Sequence, residues 1–346
     1  MITLRHHFEA LLTKINPPDD RVALASTRVG DLRVWLAEHE FATVDPHSRL
    51  SGSYSRKTAI ELIPDVDVLV FVPDDQKDRT PNAVLCELHG VLKEYPGAGS
   101  VDLHGQRRSV RLELSSDNLC LDIVPSIPNQ GLDEPLLVPD RPQAEWILSD
   151  PLGYAGRLTE VNQSSGGRLV PLVKLLKAWR DEHMVYRRPK SYVLEVILLY
   201  AVEEGLLVLG DHSRAENVRD AFAQIADKYA DLMDNGSEAP RIRDPQISET
   251  FITRGWSREH FETFMRRIRE ARKSADRALA ADDDLAAIHE WNKVFGSRWP
   301  AENEVREAIR AEARLHQPGQ SKISPAGLVI GGPAVITTRA TRYHGG

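Results

Sequence analysis

Cysteine is scarce in this sequence, and its scarcity narrows the class of protein. Only two cysteines, Cys86 and Cys120, occur among the 346 residues. Two isolated thiols do not provide the disulfide framework of a small secreted protein, and their spacing does not match a zinc site. Because free thiols persist in a reducing compartment, we expect the protein to be cytoplasmic.

Long apolar runs and an excess of positive charge are also missing. No stretch approaches the roughly 20 apolar residues of a membrane-spanning helix, so no membrane contact is expected. The first 20 residues are amphipathic and lack the uninterrupted apolar core of a secretory signal. The net charge of -7 disfavours long nucleic acid as a partner, while local basic pockets for small polyphosphates remain compatible with it.

The order of sequence patterns predicts three parts. Residues 1–150 combine N-terminal helices with strands and helices, in which the β-branched run at 65–72 indicates a strand. Within them, 125–153 is rich in proline, aspartate and glycine and is expected to form a long surface connection. Residues 151–317 have helical periodicity, and 318–346 have the composition of a flexible tail.

The predicted fold class is therefore α+β, a mixed sheet flanked by helices and followed by a helical domain. Outside the two strongly patterned stretches that follow Gly166 and Pro189, helices are predicted at residues 2–15, 20–39, 81–95, 214–233, 257–280 and 285–295.

Two aspartates stand in an apolar strand of the stretch GSYSRKTAIELIPDVDVLVFVP, residues 52–73. Side chains two residues apart in a strand point the same way, so Asp65 and Asp67 share a face. Adjacent carboxylates repel each other unless a cation lies between them. Oxygen ligands of this kind suit Mg²⁺ or Mn²⁺, ions that usually bind phosphate oxygens as well.

A third acid lies in a second apolar strand. Asp122 is flanked by Leu121 and Ile123 in the run NLCLDIVPSI. If this strand lies beside the first, Asp122 joins Asp65 and Asp67 in a site for two metal ions roughly 3.5–4 Å apart. Three arginines lie near Asp122 in sequence and either reach a bound nucleotide or line an exposed strand face: Arg107, Arg108 and Arg111.

Gly52 and Ser53 precede a predicted helical turn and suit a phosphate. A helix start offers free N–H groups to an anion, and glycine lets the phosphate approach the backbone closely. Ser53 is expected to cap the helix and to donate a hydrogen bond to phosphate. Each motif alone has a plain explanation, a surface loop or a half-exposed strand, but the combination is far more specific.

The combination resembles the DNA-polymerase-β-like nucleotidyltransferase superfamily. The hallmark of that superfamily is a Gly-Ser pair, a following D-x-D and a separate third carboxylate, which here are Gly52-Ser53, Asp65-Val66-Asp67 and Asp122. The resemblance implies the polymerase-β-like mixed sheet, two Mg²⁺ or Mn²⁺ ions held by the three aspartates, and nucleoside triphosphate substrates.

The helical half narrows the resemblance. The run RLVPLVKLLKAWRDEHMVYRRPKSYVLEVILL looks like the helical domain of the cGAS/DncV-like nucleotidyltransferases (CD-NTases) and of their oligoadenylate-synthase relatives. The resemblance assigns a lysine, Lys174 or Lys177, and Ser191 to the donor triphosphate, and Tyr192 to stacking on the donor base. From the residues alone, the lysines also fit the solvated edge of an amphipathic helix, and Ser191 and Tyr192 fit a plain N-cap and a core aromatic.

The resemblance implies synthesis of cyclic di- or trinucleotide second messengers from nucleoside triphosphates, with release of pyrophosphate, in bacterial antiphage (CBASS) signalling. Two alternatives stay open. A CCA-adding or linear oligoadenylate enzyme would use the same aspartates, but it would need a large basic surface. A non-catalytic nucleotide-binding or toxin–antitoxin module would not need all three carboxylates.

The C-terminal sequence RYHGG raises a separate possibility. A terminal glycine on a flexible tail is sterically suited to activation and ligation, and some bacterial relatives are joined through it to a target by ubiquitin-activating-like (E1/E2) enzymes. Gly346 is therefore a candidate conjugation point, and a tail that merely ends in glycine is the plain alternative.

Overall fold

The computed structural model describes residues 1–39, 41–61, 65–184, 186, 188–210, 213–315, 322–323 and 329–330. Its helices are α1 Arg5–Ile15, α2 Asp19–Glu38, α3 Gly52–Ser55, α4 Pro81–Leu92, α5 Pro151–Ser164, α6 Leu169–His183, α7 Ser191–Glu203, α8 Arg214–Lys228, α9 Ala230–Asp234, α10 Arg258–Leu279, α11 Asp284–Phe295 and α12 Glu302–Leu315. Its strands are β1 Ser48–Leu50, β2 Asp65–Phe71, β3 Ser100–Asp102, β4 Val110–Leu114, β5 Leu119–Ser126, β6 Leu136–Asp140, β7 Glu145–Ser149, β8 Lys322–Ile323 and β9 Val329–Ile330.

A five-stranded mixed sheet forms the centre of the N-terminal half, as predicted. The strand order is β1-β2-β5-β4-β3, with β2 and β5 parallel and the other neighbours antiparallel. One face of β2 carries Val66, Val68 and Val70 into a core that it shares with α2 and α4. The period of two in the β-branched run therefore produces one fully apolar face.

The other face of β2 is divided along its length. Leu69 and Phe71 pack against Leu136 and Val138 of β6, whereas the aspartates at the start of β2 lie beyond this apolar cluster. The start of β2 is thus left uncovered on this face, and the candidate site lies there.

The helical half is built around a large apolar core. In α10 the buried residues Phe261, Phe264, Met265 and Ile268 follow the three- and four-residue spacing of one helix face. Side-chain caps fix the starts of three of its helices, since Ser213, Ser257 and Asp283 accept hydrogen bonds from backbone N–H groups of α8, α10 and α11. No described helix is both long and apolar enough to cross a membrane.

One expectation about organisation is corrected. The segment 125–153 was expected to be a long connection across the surface, but it contains the end of β5 and the antiparallel hairpin β6–β7. The apolar residues of helix α1 pack in the core of the helical half.

The division at residues 150 and 317 stays a prediction. In the C-terminal part, α12 continues the helical region almost to the predicted boundary, and β8 and β9 form a short antiparallel pair within the segment expected to be a tail. Gly346 lies outside the described residues.

Candidate functional site

The sheet register places the candidate carboxylates on one face. Asp67 and Asp122 are directly opposite each other in the parallel pair β2–β5, and Asp65 lies two residues before Asp67 on the same side of β2. Asp65 and Asp122 are partly exposed and Asp67 reaches solvent. The three acids therefore lie on one face of two inner strands, near the start of β2.

Gly52 lies directly beside this carboxylate face. Its φ of +64° is a left-handed conformation, and a Cβ atom placed on it would come within 1.8 Å of Asp67 Oδ2. The backbone N–H of Ser51 also donates to the Asp67 carbonyl oxygen at 2.8 Å. The Gly-Ser loop, residues 51–56, and strand β2 are thus packed together at backbone distance.

The expected cap by Ser53 does not form. Ser51 occupies the N-cap of α3 without a side-chain capping bond, and Ser53 lies one residue inside the helix. The Ser53 carbonyl oxygen instead accepts the N–H groups of Thr58 (2.9 Å) and Ala59 (3.1 Å), which closes the loop after α3. The Ser53 hydroxyl is partly exposed on the same loop as Gly52.

Arg111 lies between two of the aspartates. Its Nε and Nη2 atoms donate to Asp122 Oδ1 and Oδ2 at 3.0 and 2.9 Å, and Nη2 lies 3.3 Å from Asp65 Oδ1. Partial loss of hydration raises the pKa of Asp67, and the negative charges of Asp122 and Asp65 raise it further against the opposing effect of Arg56 and Arg111.

The donor set fits divalent magnesium or manganese. Three carboxylates lie on one face, and the pKa of one of them, Asp67, is raised first by loss of hydration and then by the charge of Asp122; a divalent cation relieves the repulsion among them. In this conformation the described His, Cys, Asp and Glu side chains form no ready cluster of three around one point. The guanidinium of Arg111 lies between two of the carboxylates instead.

Lys177 lies in a buried network rather than at the edge of its helix. Its Nζ is 2.5 Å from Glu195 Oε1 and donates to the carbonyl oxygen of Thr58 at 2.9 Å and to its Oγ1 at 3.1 Å. Glu195, wholly buried on α7, also accepts hydrogen bonds from Arg56 Nε (2.8 Å) and Thr58 Oγ1 (2.9 Å). In this conformation the Lys177 ammonium is bound by Glu195 and Thr58. Its contact with a triphosphate stays a prediction.

The other residues assigned to the donor nucleotide lie on α6 and α7. Lys174 donates to Asn16 Oδ1 at 2.8 Å. The Ser191 hydroxyl accepts from Arg180 Nη1 at 2.9 Å, and Lys190 rather than Ser191 is the N-cap of α7. Of this set, Tyr192 alone lines the large cavity described below.

Tyr192 is held in place by aromatic and polar contacts. Its ring meets the edge of Tyr154 at a centroid distance of 4.8 Å, and its hydroxyl donates to Asp244 Oδ2 at 3.1 Å. The Arg56 guanidinium lies 5.3 Å from the Tyr154 ring centre and 6.0 Å from that of Tyr192. The Gly-Ser loop, which ends at Arg56, therefore contacts the expected base-stacking residue.

A cavity of about 1080 Å³ is lined by Tyr192 and Asp244 and by Arg107 and Arg108, the arginine segment that precedes β4. The three aspartates are not part of its lining. The arginine segment leads in sequence to Arg111 on β4, which binds two of the aspartates. The cavity volume is in the range of a nucleotide-sized site.

Asp140 fixes this arginine segment. It is buried at the end of β6 and accepts three hydrogen bonds from Arg107 at 2.7–3.0 Å, while Arg108 Nη2 lies 3.6 Å from it. Burial alone would raise the pKa of Asp140, but the hydrogen bonds and charge of Arg107 hold it below its usual range. The exposed guanidinium edges are left facing the cavity.

Comparison with known proteins decides the family. The family described as Second Messenger Oligonucleotide or Dinucleotide Synthetase domain matches residues 1–162. A cyclic AMP-AMP-AMP synthase from Acinetobacter sp. is 31% identical in an alignment of 328 positions that covers 90% of this chain and 90% of the relative. The chain belongs to the CD-NTase family. CD-NTases are metal-dependent nucleotidyltransferases that make cyclic oligonucleotides, and this chain is such an enzyme.

Further similarities agree with this assignment. A cyclic AMP-AMP-GMP synthase from Enterobacter hormaechei is 23% identical in an alignment of 361 positions that covers 86% of this CD-NTase and 92% of the relative. The structure of CdnC from E. coli MS115-1 with ATP superposes with a TM-score of 0.70 at 20% identity, covering 87% of this chain and all of CdnC. The polymerase-β-like fold predicted from the sequence is thereby confirmed.

Two residues of the site escaped the sequence reasoning, although each leaves a signal. Glu195 is a single acid in the apolar run SYVLEVILLY, and such an acid requires a buried cation. Asp140 follows the apolar run LLVP, which the surrounding prolines and acids concealed.

Proposed function

We propose that this CD-NTase joins nucleoside triphosphates into a cyclic trinucleotide that contains mainly or only adenosine. The observation that carries the proposal is the pairing of Asp67 with Asp122 across β2 and β5, directly beside the Gly52 loop. The choice of adenosine trinucleotide is supported by the cyclic AMP-AMP-AMP synthase from Acinetobacter, which is similar over nine-tenths of both chains.

The three aspartates are assigned as ligands of two Mg²⁺ or Mn²⁺ ions. These ions supply charge neutralisation at the reacting phosphate and lower the pKa of the attacking hydroxyl. Asp65 and Asp67 come from one strand and Asp122 from the next, so the sheet register itself sets their spacing. Catalysis by this chain then consists mainly of positioning and electrostatic stabilisation.

The Gly-Ser loop and the arginine segment orient the phosphates. Gly52 gives the triphosphate access to the backbone, and the Ser53 hydroxyl donates to a phosphate oxygen. Tyr192 offers its ring to the donor base, a contact worth about 1–3 kcal/mol for any base. Arg107 and Arg108, anchored by Asp140, bind the acceptor nucleotide in the cavity that they line.

The proposed reaction balances as a nucleotidyl transfer. A ribose hydroxyl of the acceptor attacks the α-phosphate of the donor, a phosphodiester bond forms, and pyrophosphate leaves with the broken phosphoanhydride bond. The hydroxyl proton is released during attack, and Asp122 accepts it. A second transfer adds the third nucleotide and releases another pyrophosphate. In the last step the free ribose hydroxyl of the linear trinucleotide attacks the α-phosphate of its own 5′-triphosphate, which closes the ring and releases the third pyrophosphate.

The product is proposed to act as a second messenger in antiphage (CBASS) signalling in the cytoplasm. Gly346 is further proposed as a conjugation point for a ubiquitin-activating-like partner. Deletion of Gly346, or addition of one residue after it, should abolish covalent adducts with that partner while leaving NTP turnover intact. Adducts that persist in both variants would place the linkage elsewhere.

The function is tested by identifying the product. The purified protein is incubated with each NTP singly and with all four together, with Mg²⁺ and with Mn²⁺, and the products are identified by mass spectrometry and nuclease digestion. We expect a cyclic trinucleotide from ATP. A linear or a dinucleotide product would overturn the proposed product.

The assigned residues are tested by Asp65→Asn and Asp67→Asn together. Pyrophosphate release should fall at least 10³-fold, since the ions that neutralise the phosphate charge are no longer held. Asp75→Asn, an exposed acid shortly after the same strand, is the matched control and should retain full activity. Normal turnover by the double variant would refute the assignment.

A further inference from the structure

Arg111 and Asp122 face each other because of the sheet register. They are directly opposite residues in the antiparallel pair β4–β5, and Asp122 is in turn opposite Asp67 in the parallel pair β5–β2. Opposite residues of adjacent strands have Cβ atoms about 4.5–5.5 Å apart on one face of the sheet. The position of the Arg111 side chain at the carboxylates is thus set by three paired strands rather than by a loop.

Arg111 contacts two of the carboxylates at once. Arg111 binds Asp122 through two nitrogen atoms, a bidentate geometry, and reaches Asp65 with Nη2 at 3.3 Å. Its side chain is 35% exposed, so the ion pair lies at the solvent side of the site and can be exchanged for another cation. A single guanidinium thereby forms ion pairs with two of the three carboxylates that are assigned as metal ligands.

We propose that Arg111 is a positioning residue that serves as an internal counterion, holding Asp65 and Asp122 together in the nucleotide-free enzyme and competing with divalent metal for them. The inference rests on the proposed assignment of the three aspartates to metal. Because the guanidinium has to leave at least one carboxylate before the ions bind, metal alone binds weakly. A triphosphate provides oxygen ligands for the ions and a new partner for the displaced guanidinium, so metal and nucleotide bind together.

The test is metal binding without nucleotide. Mn²⁺ binding to the full-length protein is measured from the free-ion signal in electron paramagnetic resonance, for the wild type and for Arg111→Gln. We expect Arg111→Gln to bind Mn²⁺ roughly tenfold more tightly, since one positive charge next to a divalent cation is removed. The gain should shrink when a non-hydrolysable ATP analogue is present, because nucleotide already displaces the guanidinium in the wild type.

Two matched variants make the test specific. Arg111→Lys keeps the charge without the bidentate geometry and should bind Mn²⁺ with an affinity between those of the wild type and Arg111→Gln. Arg79→Gln removes the same charge from an exposed residue that pairs with Glu87, and it should leave the affinity unchanged.

The outcomes separate this inference from the proposed function. Suppose that Mn²⁺ binding is lost in Asp67→Asn but is unchanged or weakened in Arg111→Gln. The counterion role is then overturned while the metal site stands. If the wild type binds no Mn²⁺ with or without nucleotide, or if Asp67→Asn binds it as the wild type does, the metal assignment falls and the inference falls with it.

Discussion

Gly52 is constrained twice, by its own backbone and by its neighbour. Its positive φ costs a residue with a side chain about 1–2 kcal/mol. A Cβ would also overlap with the Asp67 carboxylate, so any other residue has to displace a candidate metal ligand. The Gly-Ser motif is therefore tied to the D-x-D motif by steric contact.

Gly52→Ala should nearly abolish NTP turnover while reducing stability only modestly. Gly97→Ala is a matched control, because Gly97 also has a positive φ, of +85°, but a Cβ there meets nothing within 4 Å. Both variants should lose roughly 1–2 kcal/mol in urea unfolding. Turnover should fall at least 100-fold in Gly52→Ala alone; equal activity in the two would show that the contact with Asp67 does not matter.

The orientation of single side chains was predictable where the backbone imposes a strict period. The shared face of Asp65 and Asp67 follows from the two-residue repeat of a strand. The burial of Lys177 with Glu195 could not be derived, because it depends on how α6 and α7 pack against the loop after α3. The capping role of Ser53 was wrong, because α3 begins at Gly52 with Ser51 as its N-cap, and Ser51 makes no side-chain capping bond.

The hairpin β6–β7 is the element that joins the sheet to the arginine segment. Its apolar side, with Leu136 and Val138, covers the distal half of the β2 face. Its turn end carries the buried Asp140, which binds Arg107 in a bidentate manner. The hairpin therefore covers the part of the β2 face beyond the carboxylates, and it fixes the guanidinium of Arg107.

Asp140→Asn should weaken nucleotide binding more than it affects the chemical step. The neutral amide removes the charge that opposes Arg107 and one of its two acceptor oxygens, so both arginines lose their fixed position. We expect the KM for ATP to rise roughly tenfold, equivalent to about 1.4 kcal/mol of lost binding, with a smaller change in kcat. Steady-state kinetics at several Mg²⁺-saturated ATP concentrations provides the measurement.

The control for this change lies directly across the hairpin. Glu145 is opposite Asp140 in the β6–β7 pair but is exposed, so Glu145→Gln makes the same chemical change without touching the arginines. If the two variants had the same KM, Asp140 would not anchor the binding segment.

Elements were predictable where the pattern is long and uninterrupted. Helix α10 and strand β2 have a clear apolar period and were found. The hairpin was missed because its strands have five residues each and contain or border prolines and acids, which are typical of loops. Helix α12 was not recognised either, because most of its residues are charged or exposed.

Across the whole molecule, the two halves are joined by a buried polar network. Glu195 on α7 binds Arg56 at the end of the Gly-Ser loop, Thr58 just after it, and Lys177 of α6. Burial alone would raise the pKa of Glu195, but the charges and hydrogen bonds of Arg56 and Lys177 lower it, so it stays ionised. The loop that carries Gly52 is thereby fixed to the helices that carry Tyr192.

Glu195→Gln should destabilise the protein by about 3–5 kcal/mol, because Arg56 and Lys177 are left buried without their anion. Lys177→Met should cost less, since Arg56 still neutralises Glu195. The double variant should be more stable than Glu195→Gln alone, because the uncompensated ammonium is gone. Urea unfolding of all four proteins gives the coupling energy.

The same variants test the assignment of Lys177 to the triphosphate. If Lys177 acts only within the network, Lys177→Met leaves the KM for ATP within a fewfold of the wild type. A tenfold rise in KM with unchanged unfolding free energy, together with additive effects in the cycle, would instead support direct contact with the nucleotide.

The packing of α1 has a consequence for how the chain is made. Phe8 meets Trp291 edge-to-face at 4.9 Å and Trp299 at 5.4 Å, so the first helix completes a core that is otherwise built from the far end of the chain. On the ribosome, the sheet and its flanking helices emerge and can fold while α1 still has no partner. We expect α1 to dock only after the segment that carries Trp291 and Trp299 has been translated, so that the helical half stays open until that segment has emerged.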